Sequence, residues 1–305
     1  MCGHGDCRAL QPVRVLIVGL GRAAKLAAEA ISDRSDAAVV AGVDPMPVAW
    51  LPPGVPVYAS LEDVPRRLEI DLAIVATPTR THGTVCLELI DGDLDVAAIA
   101  CEKPLIGVED LLRRARERDR PLRVLYHYAH AAEVLWAAER FDELVARHGN
   151  VRDAVARFED AYESELDERE RVLVSSWYDS GINALSVLER FVDLRRIVDT
   201  DVHHEQPTAG AATVAIASGE ARIYTRWDVV EEVKRTTLRF DDGTALELDH
   251  PTQTATLAGR VVFTGEGSAR LERYRRLMDA HVRGDVDVYD DQRTIGLHSL
   301  LDAAT

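Results

Sequence analysis

One stretch leaves this chain little freedom in what it folds into: Val13-Arg-Val-Leu-Ile-Val18, then Gly19-Leu-Gly21-Arg22-Ala23-Ala24, then an alanine-rich segment. The first six residues read as a strand buried on both faces, and the G-x-G-x-x-A that ends them reads as a turn into a helix. Gly19 permits the tight turn, Gly21 lets backbone approach a pyrophosphate, and Ala24 lets the helix lie close on the strand, with the helix's free N–H groups facing the anion. A second apolar run, Ala37–Val43, ends in Asp44, twenty residues past Ala24. An acidic side chain there accepts hydrogen bonds from ribose hydroxyls and repels a 2′-phosphate. The stretch predicts a dinucleotide site formed by Gly19, Gly21, Arg22, Ala23 and Asp44, with NAD as cofactor. NADP stays possible, because Arg22 can instead face a phosphate.

The same alternation continues downstream. A short amphipathic helix is expected at Leu61–Leu68, and a buried strand, Asp71–Ala76, runs into Thr77-Pro78-Thr79-Arg80-Thr81-His82 and a helix to about Ile90. Strand ends of this kind line the cofactor crevice of doubly wound sheets, which adds Thr77 and Pro78 to the site. His82, in the first turn of that helix, is either a packing residue or a cofactor contact. Val96–Cys101 is the next strand and delivers Glu102-Lys103-Pro104 to the same edge; helix Val108–Arg118 and strand Leu122–Tyr126 follow. The fold class is therefore α/β: an N-terminal Rossmann doubly wound parallel sheet over residues 1–126, with 1–12 as a flexible leader.

Residues 127–305 read differently. Ala131–His148 is helical and stops at Gly149, after which Val151–Glu159, Thr213–Ala217, Ala221–Trp227, Val233–Phe240, Thr244–Leu248 and Arg260–Thr264 are strand-like. Ala221, Ile223, Thr225 and Trp227 alternate with Arg222, Tyr224 and Arg226, the pattern of a sheet covered on one face, and Asp242-Gly243 is a hairpin turn. Two helices, about Ala269–Val282 and Asp291–Leu301, close the chain, the last able to pack back on the first domain. This is an α/β domain on an open, mainly antiparallel sheet. The charged run Glu163–Arg171 is either a solvated loop or a mobile lid.

Composition narrows the partners. With 36 basic against 52 acidic residues the chain carries a formal charge of −16, which opposes binding to nucleic acid or an anionic membrane. No apolar run approaches the ~20 residues needed to cross a bilayer, so a cytoplasmic protein with a small-molecule substrate is expected. Cys2, Cys7, Cys86 and Cys101 are too few and scattered for a disulfide scaffold. Cys2, His4 and Cys7 imitate half a metal site, but no second half follows, and no metal is expected.

Chemistry is carried by two segments. Lys103 is one of three lysines in the chain, and Asn183 one of two asparagines, so each is less expected as filler in a site-like context. In Trp177-Tyr178-Asp179-Ser180-Gly181-Ile182-Asn183, Asp179 and Asn183 stand four apart and share a face if a helix begins at Asp179. Asp179 is either part of a site or simply the cap of that helix.

The order G-x-G-R-x-A, Asp44, Ala-Thr-Pro-Thr with a following histidine, Glu-Lys-Pro and Asp-x-Gly-x-Asn resembles the Gfo/Idh/MocA oxidoreductases. The resemblance implies a lysine beside the nicotinamide, here Lys103 within a cofactor site that includes Glu102. Many members carry histidine where this chain has Asn183. Asp-x-Gly-Ile-Asn-Ala-Leu-Ser is similar to the L-arabinose/D-galactose 1-dehydrogenase branch, and Tyr126-His127-Tyr128-Ala129 resembles its substrate-contacting segment. Ser180 stands in place of that branch's proline, and Val172–Tyr178 replaces its glycine-rich lead-in. By this likeness Lys103, Asp179 and Asn183 are catalytic, and His127, Tyr178 and Trp227 meet the substrate. The implied reaction moves hydride between a nicotinamide and a carbinol carbon of a sugar or sugar-like polyol. Reduction of a ketone or cyclic imine in a biosynthetic pathway is the alternative, and a dinucleotide-binding regulator without turnover a second. The likeness also implies a homo-oligomer, dimer or tetramer, joined through the C-terminal sheet.

Overall fold

A computed structural model of the chain describes residues 11–46, 48–162, 166, 172–203, 206–284 and 290–305. The segment with Cys2, His4 and Cys7, and all of the charged run 163–171 but Leu166, lie outside these residues.

Strands β1 (Val13–Val18), β2 (Ala37–Val43), β3 (Val57–Tyr58), β4 (Leu72–Val75), β5 (Ile99–Glu102) and β6 (Leu122–Leu125) form one parallel sheet in the order β3-β2-β1-β4-β5-β6. Strand β1 is central: Val15, Leu16 and Ile17 are fully buried, as a strand covered on both faces requires. Helices α1 (Arg22–Ser32), α2 (His82–Asp91) and α3 (Val108–Glu117) cover the sheet. Register decides what reaches its carboxyl edge. Val18 pairs with Val43 on one side and Val75 on the other, so Gly19, Asp44 and Ala76-Thr77 emerge side by side. Cys101 pairs with Val75, which brings Glu102 and Lys103 to the same edge.

The helix expected at Leu61–Leu68 is only a 3-10 turn, Leu61–Asp63, closed by a reciprocal Ser60–Asp63 capping box. Val64 precedes Pro65 and is extended (ψ 126°), because the proline ring disfavours helical backbone before it. The expected helix over 131–148 is two, α4 (Ala132–Glu139) and α5 (Phe141–His148), broken at Arg140.

Strands β7 (Val151–Ala161), β8 (Leu194–Val202), β9 (Ala209–Ile216), β10 (Gly219–Arg226), β11 (Asp228–Phe240), β12 (Ala245–Asp249), β13 (Thr254–Leu257) and β14 (Arg260–Thr264) form the second sheet. Its order is β14-β13-β12-β11-β7-β10-β9-β8, antiparallel except where β7 meets β10. Strand β8 escaped the sequence pattern because its Arg195, Arg196, Asp199 and Asp201 make an edge strand that alternates poorly. Ala154, Ala156, Phe158 and Asp160 of β7 face inward, onto a π-helical turn (Trp177–Gly181) and α6 (Ile182–Leu188). The opposite face is polar, with Arg157 stacked 5.0 Å over Tyr224 and Arg222 bonded to Asp153 at 2.6 Å.

Both closing helices touch the first sheet's layer. Helix α7 (Ala269–Arg283) packs on α1, with Arg34 bonded to Asp279 and Arg275 to Asp33. In α8 (Asp291–Ala303), His298 accepts from the Leu105 amide at 2.9 Å, and the Leu301 carbonyl accepts from the Trp177 indole at 2.9 Å. The turn that carries Asp179 is thereby tied to the loop that carries Lys103.

Candidate active site

A cleft of about 530 Å³ opens along the carboxyl edge of the first sheet, its far wall built by β7, the π-helical turn and the start of α7. At one end lies the glycine turn. Gly19 has φ +83°, and a Cβ on it would stand 2.6 Å from the Thr77 amide nitrogen, so the position demands glycine. A Cβ on Gly21 would meet nothing within 4 Å, because that side faces the open cleft. No side chain caps α1, which leaves its first N–H groups for an anion. Ala24 is fully buried against the strand. Asp44 accepts from the Leu20 amide at 2.7 Å through one oxygen and from Met46 at 2.8 Å through the other, so it both fixes the turn and keeps lone pairs for a ribose. This cradle suits a nicotinamide dinucleotide.

At the other end Lys103, from the loop after β5, crosses to the second layer. Its ammonium donates to Asp179 Oδ1 at 2.5 Å and to the Asp179 carbonyl at 2.8 Å. Both side chains are nearly buried. An ammonium has three N–H donors, so one remains for a ligand. Asp179 is not a helix cap: it sits inside the π-helical turn, and the α-helix begins at Ile182. The extra residue of that turn still leaves Asn183 beside it, donating Nδ2–H to the Asp179 carbonyl at 3.0 Å. Its Oδ1 is buried without a partner.

Glu102 and His82 support this pair. The Glu102 carboxyl accepts from the Tyr274 hydroxyl at 2.8 Å, and burial pushes its pKa up to about 7, with Lys103 and Tyr274 opposing. His82 lies between the Pro104 and Thr77 carbonyls, 2.8 Å from each, and burial lowers its pKa. It is a strut joining two loops of the cleft, with its ring on the lining.

His127 also lines the cleft, stacked on Tyr274 at 5.4 Å, its Nδ1 unpartnered. Burial drives its pKa well below the ordinary histidine value, and Lys103, Arg273, Lys234 and Arg270 add to this. Both effects disfavour the protonated ring. Arg22, Ala23, Thr77 and Pro78 lie on the lining with Gly19, Gly21, Asp44 and Glu102.

Two residues expected at the substrate lie elsewhere. The Tyr178 hydroxyl donates to Asp302 at 3.0 Å, which turns the ring toward α8 and away from the cleft. Trp227 is fully buried behind Tyr162, 6.2 Å away, and it is Tyr162 that lines the cleft.

Sequence reasoning missed a second buried ion pair in the cleft. Lys234 Nζ lies 2.5 Å from Asp160 and 2.8 Å from Glu232, and Asp160 also accepts from Ser180 at 2.9 Å. Burial alone would lower the Lys234 pKa, but Tyr128, Asp160 and Glu232 raise it. Lysine scarcity was the one available signal. Tyr128, Arg270 and Arg273 complete the wall. Among the described residues no group of three or more His, Cys, Asp or Glu side chains is placed to hold a metal, and no helix is long and apolar enough to cross a membrane.

Residues 13–126 match the family model GFO_IDH_MocA, described as an oxidoreductase family with an NAD-binding Rossmann fold. No curated protein sequence matches the chain. Similar solved structures include GenD2 from gentamicin A biosynthesis in complex with NAD (TM-score 0.78, 16% identity, covering 100% of this chain and 96% of that one). A variant of KijD10, a 3-ketoreductase from Actinomadura kijaniata in complex with TDP-benzene and NADP, superposes with TM-score 0.76 at 17% identity, over 96% and 97% of the two chains. An apo scyllo-inositol dehydrogenase from Lactobacillus casei gives TM-score 0.74 at 14% identity over 97% and 95%. At these identities the likeness is one of fold, and it spans both sheets.

Proposed function

We propose, from the match of residues 13–126 to the Gfo/Idh/MocA family model with its NAD-binding Rossmann fold, that this chain is an NAD(P)-dependent oxidoreductase acting on a hydroxyl-bearing or carbonyl carbon of a sugar-like substrate, with Lys103, Asp179 and Asn183 as its catalytic residues. The carrying observation is the buried Lys103–Asp179 pair, which stands in the same cleft as the dinucleotide cradle. The cofactor, when bound, supplies the hydride acceptor or donor.

Lys103 turns its remaining N–H toward the reacting oxygen and gives or takes the proton there. Asp179 orients the ammonium through two bonds, one to its carboxylate and one to its carbonyl. Asn183 presents the unpartnered Oδ1, an acceptor suited to a neighbouring substrate hydroxyl. His127, with its unpartnered Nδ1, offers a further hydrogen-bonding nitrogen on the same wall.

The finer reading is oxidation of an aldose at C1 to its lactone, supported by the sequence likeness around Asp179. Reduction of a ketone or cyclic imine uses the same side chains, and the 3-ketoreductase fold neighbour keeps it in view. Assay of L-arabinose, D-galactose and inositols with NAD and NADP in parallel separates the two. Lactone formation with NAD supports the first; tight NADH binding without oxidation of any of them supports the second. We further propose that copies associate through the outer face of the eight-stranded sheet. Val198, Val230, Val261 and Val262, on strands of that sheet, are exposed.

A further inference from the structure

Among the described residues, three buried cations line the cleft, Lys103, Lys234 and Arg273, and Arg273 alone of these forms no ion pair. Lys103 is held by Asp179, and Lys234 by Asp160 and Glu232. Arg273, on the second turn of α7, is 6% exposed, yet among the described residues it forms no ion pair and its Nε has no hydrogen-bond partner. Its guanidinium carbon lies over the Tyr128 ring, 4.0 Å from the centroid. A face contact of this kind steadies the cation without engaging its N–H donors, which lie in the guanidinium plane, and among the described residues Nε finds no acceptor. Leaving a charged fork buried and unsatisfied is costly, and the partner that matches it is a planar or tetrahedral oxyanion bound through two parallel hydrogen bonds.

The surroundings make that cation face a ligand. Arg273 lines the cleft together with His127 and Asn183, whose Nδ1 and Oδ1 are likewise buried without partners. Three residues that each hold a buried, unsatisfied polar atom thus line one cleft. Exposed Arg270, one turn earlier on α7, lines the same wall and adds a second positive charge. In a chain of formal charge −16 this is a local reversal of sign.

We propose that the substrate carries an anionic group, a carboxylate or a phosphate, that docks on Arg273 while its reacting carbon lies beside Lys103. The inference rests on the reading of the cleft as a substrate site and names the class of substrate it takes: a sugar acid or a sugar phosphate.

The test is calorimetric titration of three probes, D-galactose, D-galacturonate and D-galactose 6-phosphate, into the full chain with and without saturating NADH. At least one anionic probe is expected to bind about tenfold or more tighter than D-galactose, and the arm that does so tells a carboxylate from a phosphate. Arg273→Gln is expected to abolish that preference, and Arg273→Lys to keep part of it as a point charge. Equal binding of all three probes by the wild type, or a preference intact in Arg273→Gln, overturns the proposal; the wild-type series decides this even if a variant does not fold. Anion preference without turnover of any probe would leave this inference standing and count against the proposed reaction. Turnover without anion preference would do the reverse.

Discussion

Lys103 spends two of its three donors on Asp179, so the third has a fixed direction, and the neighbouring Glu102 feels both charges. Glu102 ionises near its ordinary value of 4.5 in the unfolded chain but holds its proton to about 7 in the fold, because burial penalises the charge. The unfolded state alone loses the proton between these values, so this group costs nothing below pH 4.5 and destabilises the fold by about 3 kcal/mol once pH passes 7. Urea titrations at pH 5 and pH 8 should show the Glu102→Gln variant losing less stability across that interval than the wild type; parallel losses would contradict the shift. Asp44 allows a second test. Its charge repels a 2′-phosphate, so Asp44→Asn should lower discrimination of NAD over NADP about tenfold, measured as the ratio of kcat/KM values. An unchanged ratio would assign the preference elsewhere. Legibility differed from residue to residue: Lys103 stood out because lysine is rare in this chain, whereas Arg273 is one arginine among many and only its burial beside Tyr128 sets it apart.

The glycine turn between β1 and α1 was readable because each position in it has a separate steric reason. Gly19 is the strictest. Gly19→Ala places a Cβ 2.6 Å from the Thr77 amide at φ +83°, so the two strand ends must part and NADH affinity should fall more than tenfold by fluorescence titration. Affinity within twofold of wild type would show that the turn does not hold the cofactor. The π-helical turn was not readable. Its bonds are long-range: the Trp177 indole reaches Leu301, and Ser176 N–H reaches the Pro207 carbonyl at 2.7 Å. No local periodicity encodes these. Likewise Tyr178, placed by sequence at the substrate, is drawn off by Asp302, 124 residues away.

At the scale of the whole molecule, the two sheets supply opposite sides of one site, and the faces turned away from it define what else the protein meets. Sedimentation velocity should give a dimer or tetramer, and Val230→Asp, at a position 88% exposed, should shift it toward monomer. A monomeric wild type would remove the sheet from that role. Charge balance and strand order pointed in the sequence to a small-molecule enzyme, but which side chains from residues 127–305 meet Lys103 depended on how the second sheet, its π-helical turn and α7 close over the first. The central claim is that this closure makes Lys103 the proton carrier. The most direct measurement compares wild type with Lys103→Ala on whichever sugar-like substrate the wild type turns over, reading nicotinamide absorbance and, separately, NADH binding. Turnover should fall by about 10³-fold while NADH still binds; wild-type turnover in Lys103→Ala would contradict the account.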